Sequence, residues 1–201
     1  TYDVNLTVRD SVSQSNESTF RLYVDSLTPA AIVHNVNNQS SAGFTPTRNL
    51  LINFTATDLF LVNWSLVVYN VTGGLLTNWS NTAGNTSALM NYTVSADGLY
   101  SANLTVRDNV SHTNASNFAI TADATNPAVN NYTVTSITSS AATISINASD
   151  ATSGIQNCTY NISNVINDTL LNLSSGLYTG THSSLTASTL YNFSLVCRDN
   201  A

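Results

Sequence analysis

Apolar and polar residues alternate along much of the chain with a period of two. Tyr100, Ala102, Leu104 and Val106 share one parity, while Ser101, Asn103, Thr105 and Arg107 share the other. Successive side chains of an extended strand point to opposite faces, so this pattern predicts a strand with one face buried. It recurs in Leu50, Ile52, Phe54 and Ala56; in Trp64, Leu66 and Val68; in Ile144, Ile146 and Ala148; and in Cys158, Tyr160 and Ile162. Clusters of Gly, Asn, Asp, Ser and Thr, such as 72–74, 96–98 and 150–154, separate these segments. No stretch sustains the 3.6-residue period of a helix, and long charged helix formers are scarce. The expected class is all-β, with two packed antiparallel sheets of short strands, about seven per domain of about 95 residues.

The alternating segments are copies of one another. Residues 1–29 read TYDVNLTVRDSVSQSNESTFRLYVDSLTP and residues 99–127 read LYSANLTVRDNVSHTNASNFAITADATNP, a match at a constant offset of 98 in which NLTVRD is identical. Asn5 aligns with Asn103, Asn16 with Asn114, Phe20 with Phe118, Asp25 with Asp123 and Pro29 with Pro127. A third copy, LYNFSLVCRDNA, starts at Leu190, 91 residues after Leu99. Repeats of this length are whole domains rather than solenoid units.

Composition changes the expected surface. The chain has no lysine, five arginines and eleven acidic residues; 8% of its residues are charged, against about 25% in an ordinary soluble domain. Without clustered Lys and Arg there is nothing to displace counterions from a phosphate backbone, so nucleic acid is excluded as a partner. A salt-adapted surface would be rich in carboxylates, and this chain has one Glu and ten Asp. Neutral polar groups must therefore keep the surface wet.

Nineteen Asn-x-Ser/Thr triplets offer such groups, headed by Asn5, Asn16, Asn38, Asn53, Asn63, Asn70, Asn78, Asn85, Asn91, Asn103, Asn109, Asn114, Asn131, Asn147, Asn157, Asn161, Asn167, Asn172 and Asn192. None has proline in the middle, so each is an N-glycosylation acceptor. With 28 Asn and 55 Ser plus Thr, chance supplies about 8 such triplets. Strand alternation is a second accidental source, because positions i and i+2 share a face; Asn5, Asn53, Asn103 and Asn147 can arise that way. Asn16, Asn38, Asn85, Asn114 and Asn167 lie in stretches without alternation, where that origin does not apply. Within the strands, Asn53, Asn63, Asn103, Asn147, Asn157, Asn161 and Asn192 all fall on the outward parity, as a glycan requires.

Glycosylation demands export, so the expected location is extracellular, at the cell surface. No segment approaches 18 consecutive apolar residues and none resembles a signal peptide. On this reading the export signal and any anchor lie in a longer chain of which these residues are a part.

Catalytic chemistry is not expected. His34, His112 and His182 are scattered singly and read as exposed loop positions. Asp10, Asp108 and Asp199 end the same strand in all three copies, which suits turn capping through backbone amides better than reaction. No acidic pair, nucleophile with base, or phosphate-cradling glycine loop is apparent, so the chain reads as a non-enzyme. Two cysteines without histidine at ligand spacing cannot make a zinc site. No metal is assigned, and no cofactor beyond covalent N-glycans. Calcium at the joints is the alternative for Asp25 and Asp123, which precede the joint prolines, with Asp58 or Asp150 nearby; calcium wants six to eight oxygens, and these residues are isolated in sequence.

The runs LYSANLTVRDNV (99–110), LYNFSLVCRDNA (190–201) and SGIQNCTY (153–160), with the Thr-x-Pro-like joints at Thr28-Pro29 and Thr125-Pro127, resemble the tandem immunoglobulin-like repeats of prokaryotic, particularly archaeal, cell-surface proteins. That resemblance implies the last two strands of one domain in 1–28, a complete β-sandwich in 29–126, and a sandwich lacking its final strand in 127–201. It places Cys158 on a third strand and Cys197 on a sixth, where the preceding repeat has Trp64 and Val106. In an oxidising exterior a disulfide is expected there rather than two buried thiols. Tyr191 precedes Cys197 by six residues, unlike the two-residue spacing of an antibody tyrosine corner. Short proline-bearing joints imply a semi-rigid rod.

The implied function is structural: a heavily N-glycosylated stalk, sheath, surface layer or filament whose partners are neighbouring copies or adjacent domains. The alternative is an adhesin whose loops bind a carbohydrate or protein, for which Trp79 and Tyr178 are the loop aromatics. A third is a passive spacer for a distant enzyme domain.

Overall fold

A computed structural model describes the backbone of residues 1–82, 84–162, 166–174 and 176–201, and their side chains except those of 166–168 and 173–174. Every regular element among the described residues is a strand. No helix is long and apolar enough to cross a membrane.

Three groups of ladders follow one another along the chain. The first is a hairpin of β1 (Tyr2–Arg9) and β2 (Ser15–Leu22). The second contains β3 (Ala30–Val36), β4 (Gly43–Thr45), β5 (Asn49–Thr57), β6 (Leu61–Asn70), β7 (Leu75–Asn81), β8 (Thr86–Thr93), β9 (Gly98–Asp108) and β10 (Thr113–Ala122). They form one sheet of order β3-β5-β8 and another of order β4-β10-β9-β6-β7, antiparallel except where β4 runs parallel to β10. The third contains β11 (Ala128–Thr135), β12 (Ala141–Ser149), β13 (Ile155–Ile162), β14 (Ile166–Thr169), β15 (Leu171–Ser174), β16 (Leu177–Ser183) and β17 (Phe193–Asp199), in sheets of order β11-β12-β16-β15 and β14-β13-β17. Among the described residues no ladder crosses 23–29 or 123–127.

The period-two pattern becomes burial as expected. Leu50, Ile52, Phe54 and Ala56 of β5 face Trp64, Leu66 and Val68 of β6 and Tyr100, Ala102, Leu104 and Val106 of β9 in one core. Phe54 and Trp64 belong to opposite sheets, and their ring centroids are 4.9 Å apart. Removing such side chains from water is worth about 1.5–3 kcal/mol each, and this holds the two sheets face to face. A second core joins Ile144, Ile146 and Ala148 of β12 to Cys158, Tyr160 and Ile162 of β13. There Tyr160 meets His182 of the opposite sheet edge-on, with centroids 6.0 Å apart.

Two ladders match in register. Val4 pairs with Phe20 in β1–β2 and Ala102 with Phe118 in β9–β10, the same register displaced by 98 residues. In β9 the Tyr100 hydroxyl donates to the carbonyl of Ala96, 2.7 Å away. At the aligned position the Tyr191 hydroxyl accepts the N–H of Thr186 at 2.8 Å. Tyr100 thus ties the start of β9, and Tyr191 the chain just before β17, to the preceding corner. Asp10, Asp108 and Asp199 do cap turns: Asp10 accepts the N–H groups of Val12 and Gln14, Asp108 those of Val110 and His112, and Asp199 that of Ala201.

Candidate functional site

The acceptor asparagines are spread over the outer faces rather than gathered. Asn5, Asn16, Asn38, Asn78, Asn85, Asn91, Asn109, Asn114, Asn131, Asn147, Asn172 and Asn192 are exposed; Asn53, Asn63, Asn70, Asn103, Asn157 and Asn161 are half-buried. The side chain of Asn167 lies outside the described residues. None of the other eighteen is buried. On β5, β6, β9 and β13 the half-buried acceptors Asn53, Asn63, Asn103, Asn157 and Asn161 alternate with core residues and so fall on the outer face of a sheet. Asn70, at the end of β6, instead shares the parity of Trp64, Leu66 and Val68, and its Oδ1 accepts the N–H groups of Thr72 and Gly74 in the turn that follows. On the central strand of its sheet, Asn103 has its Oδ1 buried and without a hydrogen-bond partner.

Two placements correct the sequence reading. Asn16 and Asn114 sit in β2 and β10, and the backbone of Asn167 lies in β14, so strand geometry does apply to them; weak alternation in SNESTF and TNASNF hid those strand starts. Only Asn38 and Asn85 of that set lie outside strands. Trp79 and Tyr178 are not loop residues either. Trp79 belongs to β7 and packs edge-on against Tyr92 at 6.2 Å, while Tyr178 is buried within β16. Their polar, small neighbours TNWSN and TGTHS imitate loops in composition.

Cys158 and Cys197 are joined in a disulfide. They are direct partners across the β13–β17 ladder, as Trp64 and Val106 are across β6–β9. The bridge therefore ties neighbouring strands of one sheet. Closing a loop with a sequence separation of 39 stabilises the chain by about 4 kcal/mol in the chain-entropy treatment.

Two of the histidines differ from exposed loop positions, while His112 does lie in the loop between β9 and β10, where it is half-buried. His34 is exposed but on β3, with Nε2 2.7 Å from Thr55 Oγ1; His182 is buried in β16. His112 follows β9, and its Nδ1 is 2.9 Å from both Asp108 Oδ2 and the carbonyl of Leu27 in the first joint. Burial raises the Asp108 carboxyl, but the hydrogen bonds from the N–H groups of His112 and Val110 and from the imidazole outweigh it, leaving a net lowering.

Aspartates isolated in sequence are gathered at both joints. Ligand atoms of Asp25, Asp108 and His112 lie within 4.8 Å of one another at the first joint, as do those of Asp123, Asp150 and Asp199 at the second. Asp25 uses Oδ1 to accept the N–H of Leu27, while its Oδ2 is buried without a partner. At the second joint Asp123 accepts the N–H of Thr125 on Oδ1 and that of Ser153 on Oδ2. Asp150 Oδ1 accepts the N–H groups of Thr152, Ser153 and Gly154. The joint is also fastened to β9's corner, where Asp97 accepts the N–H of Ala124, the hydroxyl of Thr125 and Nε–H of Arg48. Spacing along the chain could not show these groupings, but the recurrence of Asp25 as Asp123 and of Asp108 as Asp199 was a signal for them.

No family model matches the sequence, and no curated protein matches it.

Proposed function

We propose that this chain is a run of immunoglobulin-like β-sandwich repeats, with units at 1–28, 29–126 and 127–201, from a heavily N-glycosylated cell-surface protein with a structural role. A stalk, sheath, surface layer or filament is the form it serves. The carrying observation is that all eighteen described acceptor asparagines are at least partly exposed in a chain with 8% charged residues. Sugar then supplies the hydration that ionised side chains supply elsewhere, and shields the backbone from proteases.

Further observations support the repeat reading. The β1–β2 and β9–β10 ladders share a register. Tyr100 and Tyr191 hold equivalent corners by their hydroxyls, a device of immunoglobulin-like sandwiches. A disulfide suits an oxidising exterior. Tyr2, Leu6, Val8, Phe20 and Leu22 are exposed on one face of the hairpin, apolar surface suited to an adjacent domain or copy.

Glycopeptide mass spectrometry of native material tests the reading. Occupancy at most acceptors, including strand-borne Asn53, Asn63 and Asn147, is expected. Bare asparagine at nearly all of them would overturn it.

A further inference from the structure

Beyond a structural role, the second joint has the composition of a cation site. We propose that Asp123, Asp150 and Asp199 bind one Ca2+ and so fasten the joint to the unit that follows it. The three carboxylates come from separate segments: the joint itself, the turn after β12 and the end of β17. Like charges at such separations repel, and more so where Asp123 is 2% exposed. None of the three takes part in a salt bridge among the described residues. Backbone amides occupy Oδ1 of Asp150 and of Asp199, leaving an oxygen of each for a ligand.

Ser153 provides the independent sign. It is 8% exposed, and its Oγ is buried with no hydrogen-bond partner. The residue sits among the carboxylates: its N–H bonds both Asp123 and Asp150, and its carbonyl accepts Nδ2–H of Asn200 at 2.7 Å. A buried hydroxyl without a partner is uncommon in folded proteins and calls for a missing one. Carboxylate, hydroxyl and carbonyl oxygens form a hard donor set, and Ca2+ accepts six to eight such oxygens in irregular geometry, with water completing the shell. Zinc and copper prefer the sulfur and imidazole ligands that this group lacks. The first joint is the internal contrast, because there an imidazole stands beside the carboxylates.

Calorimetric titration of the chelator-treated chain with CaCl2 tests the site. One saturable event is expected, with a dissociation constant of about 10⁻⁴–10⁻³ M, as in extracellular modules. Asp199→Asn should weaken it at least about tenfold, the scale of losing one charged ligand. Because Asp150 also caps its turn, Ser153→Ala is the second variant: it removes only the unpartnered hydroxyl, and a several-fold loss is expected. Asp10→Asn, a turn-capping change in the hairpin, should leave binding unchanged. The proposal is overturned by an absence of saturable binding at about 10 mM Ca2+, or by folded Asp199→Asn and Ser153→Ala chains that bind as the parent does. Either result leaves the glycoprotein reading untouched, since occupancy is measured separately.

Discussion

In the first sheet pair Trp64 faces Val106 across the β6–β9 ladder; in the second, the same position of the β13–β17 ladder holds Cys158 and Cys197. The surroundings differ too. Phe118, Ile120 and Ala122 of β10 close the first core beside β9. In the second pair Phe193, Leu195 and Cys197 are only partly buried, and a groove of about 480 Å3 opens between β17 and the strands β11 and β12. The closed pair is held by burial, which acts on the folded state. The open pair buries less beside β17 and has a covalent link, which acts mainly by restricting the unfolded chain. One register position thus serves two ways of offsetting chain entropy.

The largest effect should come from Trp64→Ala. Trp64 is 3% exposed, stacks at an angle on Phe54 and donates Nε1–H to Thr86 Oγ1. Loss of about 3–5 kcal/mol is expected, confined to residues 30–122, by urea denaturation read with hydrogen exchange. Below about 1 kcal/mol, the inter-sheet contact would not be holding the pair together. Replacing Cys158 and Cys197 by alanine together should remove about 4 kcal/mol and lower exchange protection in 128–201 alone. Equal loss of protection in both pairs would mean that they do not unfold separately, and the contrast between them would fail.

Aligned copies VNWS and QNCT, LTVRD and LVCRD, carry register information that a single strand lacks, so the Trp64–Val106 and Cys158–Cys197 pairings were legible. Outward acceptors were legible for the same reason that strands were: parity fixes the face. Contacts without a period were not. The reach of Tyr100 to Ala96, the buried Oγ of Ser153 and the approach of Asp199 to Asp123 depend on corners and joints brought together by tertiary packing, whereas the nearness of Asp150 to Asp123 is one of the joint groupings the sequence offers. Trp79 and Tyr178 read as loop residues because their neighbours have turn-like composition, but sheet pairing outweighs that local preference.

A smaller test compares the two tyrosine corners. Tyr100 is 6% exposed and donates to a carbonyl, so Tyr100→Phe should cost about 1 kcal/mol. Tyr191 is half-buried and accepts from the exposed Thr186, so Tyr191→Phe should cost less. Paired melting curves read the difference; a larger loss at Tyr191 would show that the open pair relies on its corner more than the closed one does.

The smallest expected effect is on acid sensitivity. The Arg48 guanidinium, and after it the Thr125 hydroxyl, hold the Asp97 carboxyl well below the usual carboxylate range, with burial opposing them. The position aligned with Asp97 in the second pair, 91 residues on, is Ser188. A carboxyl lowered in the folded state adds stability above the unfolded value of about 4. That stability is lost as the pH falls from there toward the folded value, because the proton then binds the unfolded chain more readily. Arg48 is substantially exposed, so screening keeps the contribution modest. Asp97→Asn should therefore lower the melting temperature of residues 30–122 at about pH 7, with the gap to the parent narrowing at about pH 3. An unchanged gap would mean that the joint is fastened by the neutral contacts of Ala124 and Thr125, and that the two pairs do not differ in their response to acid.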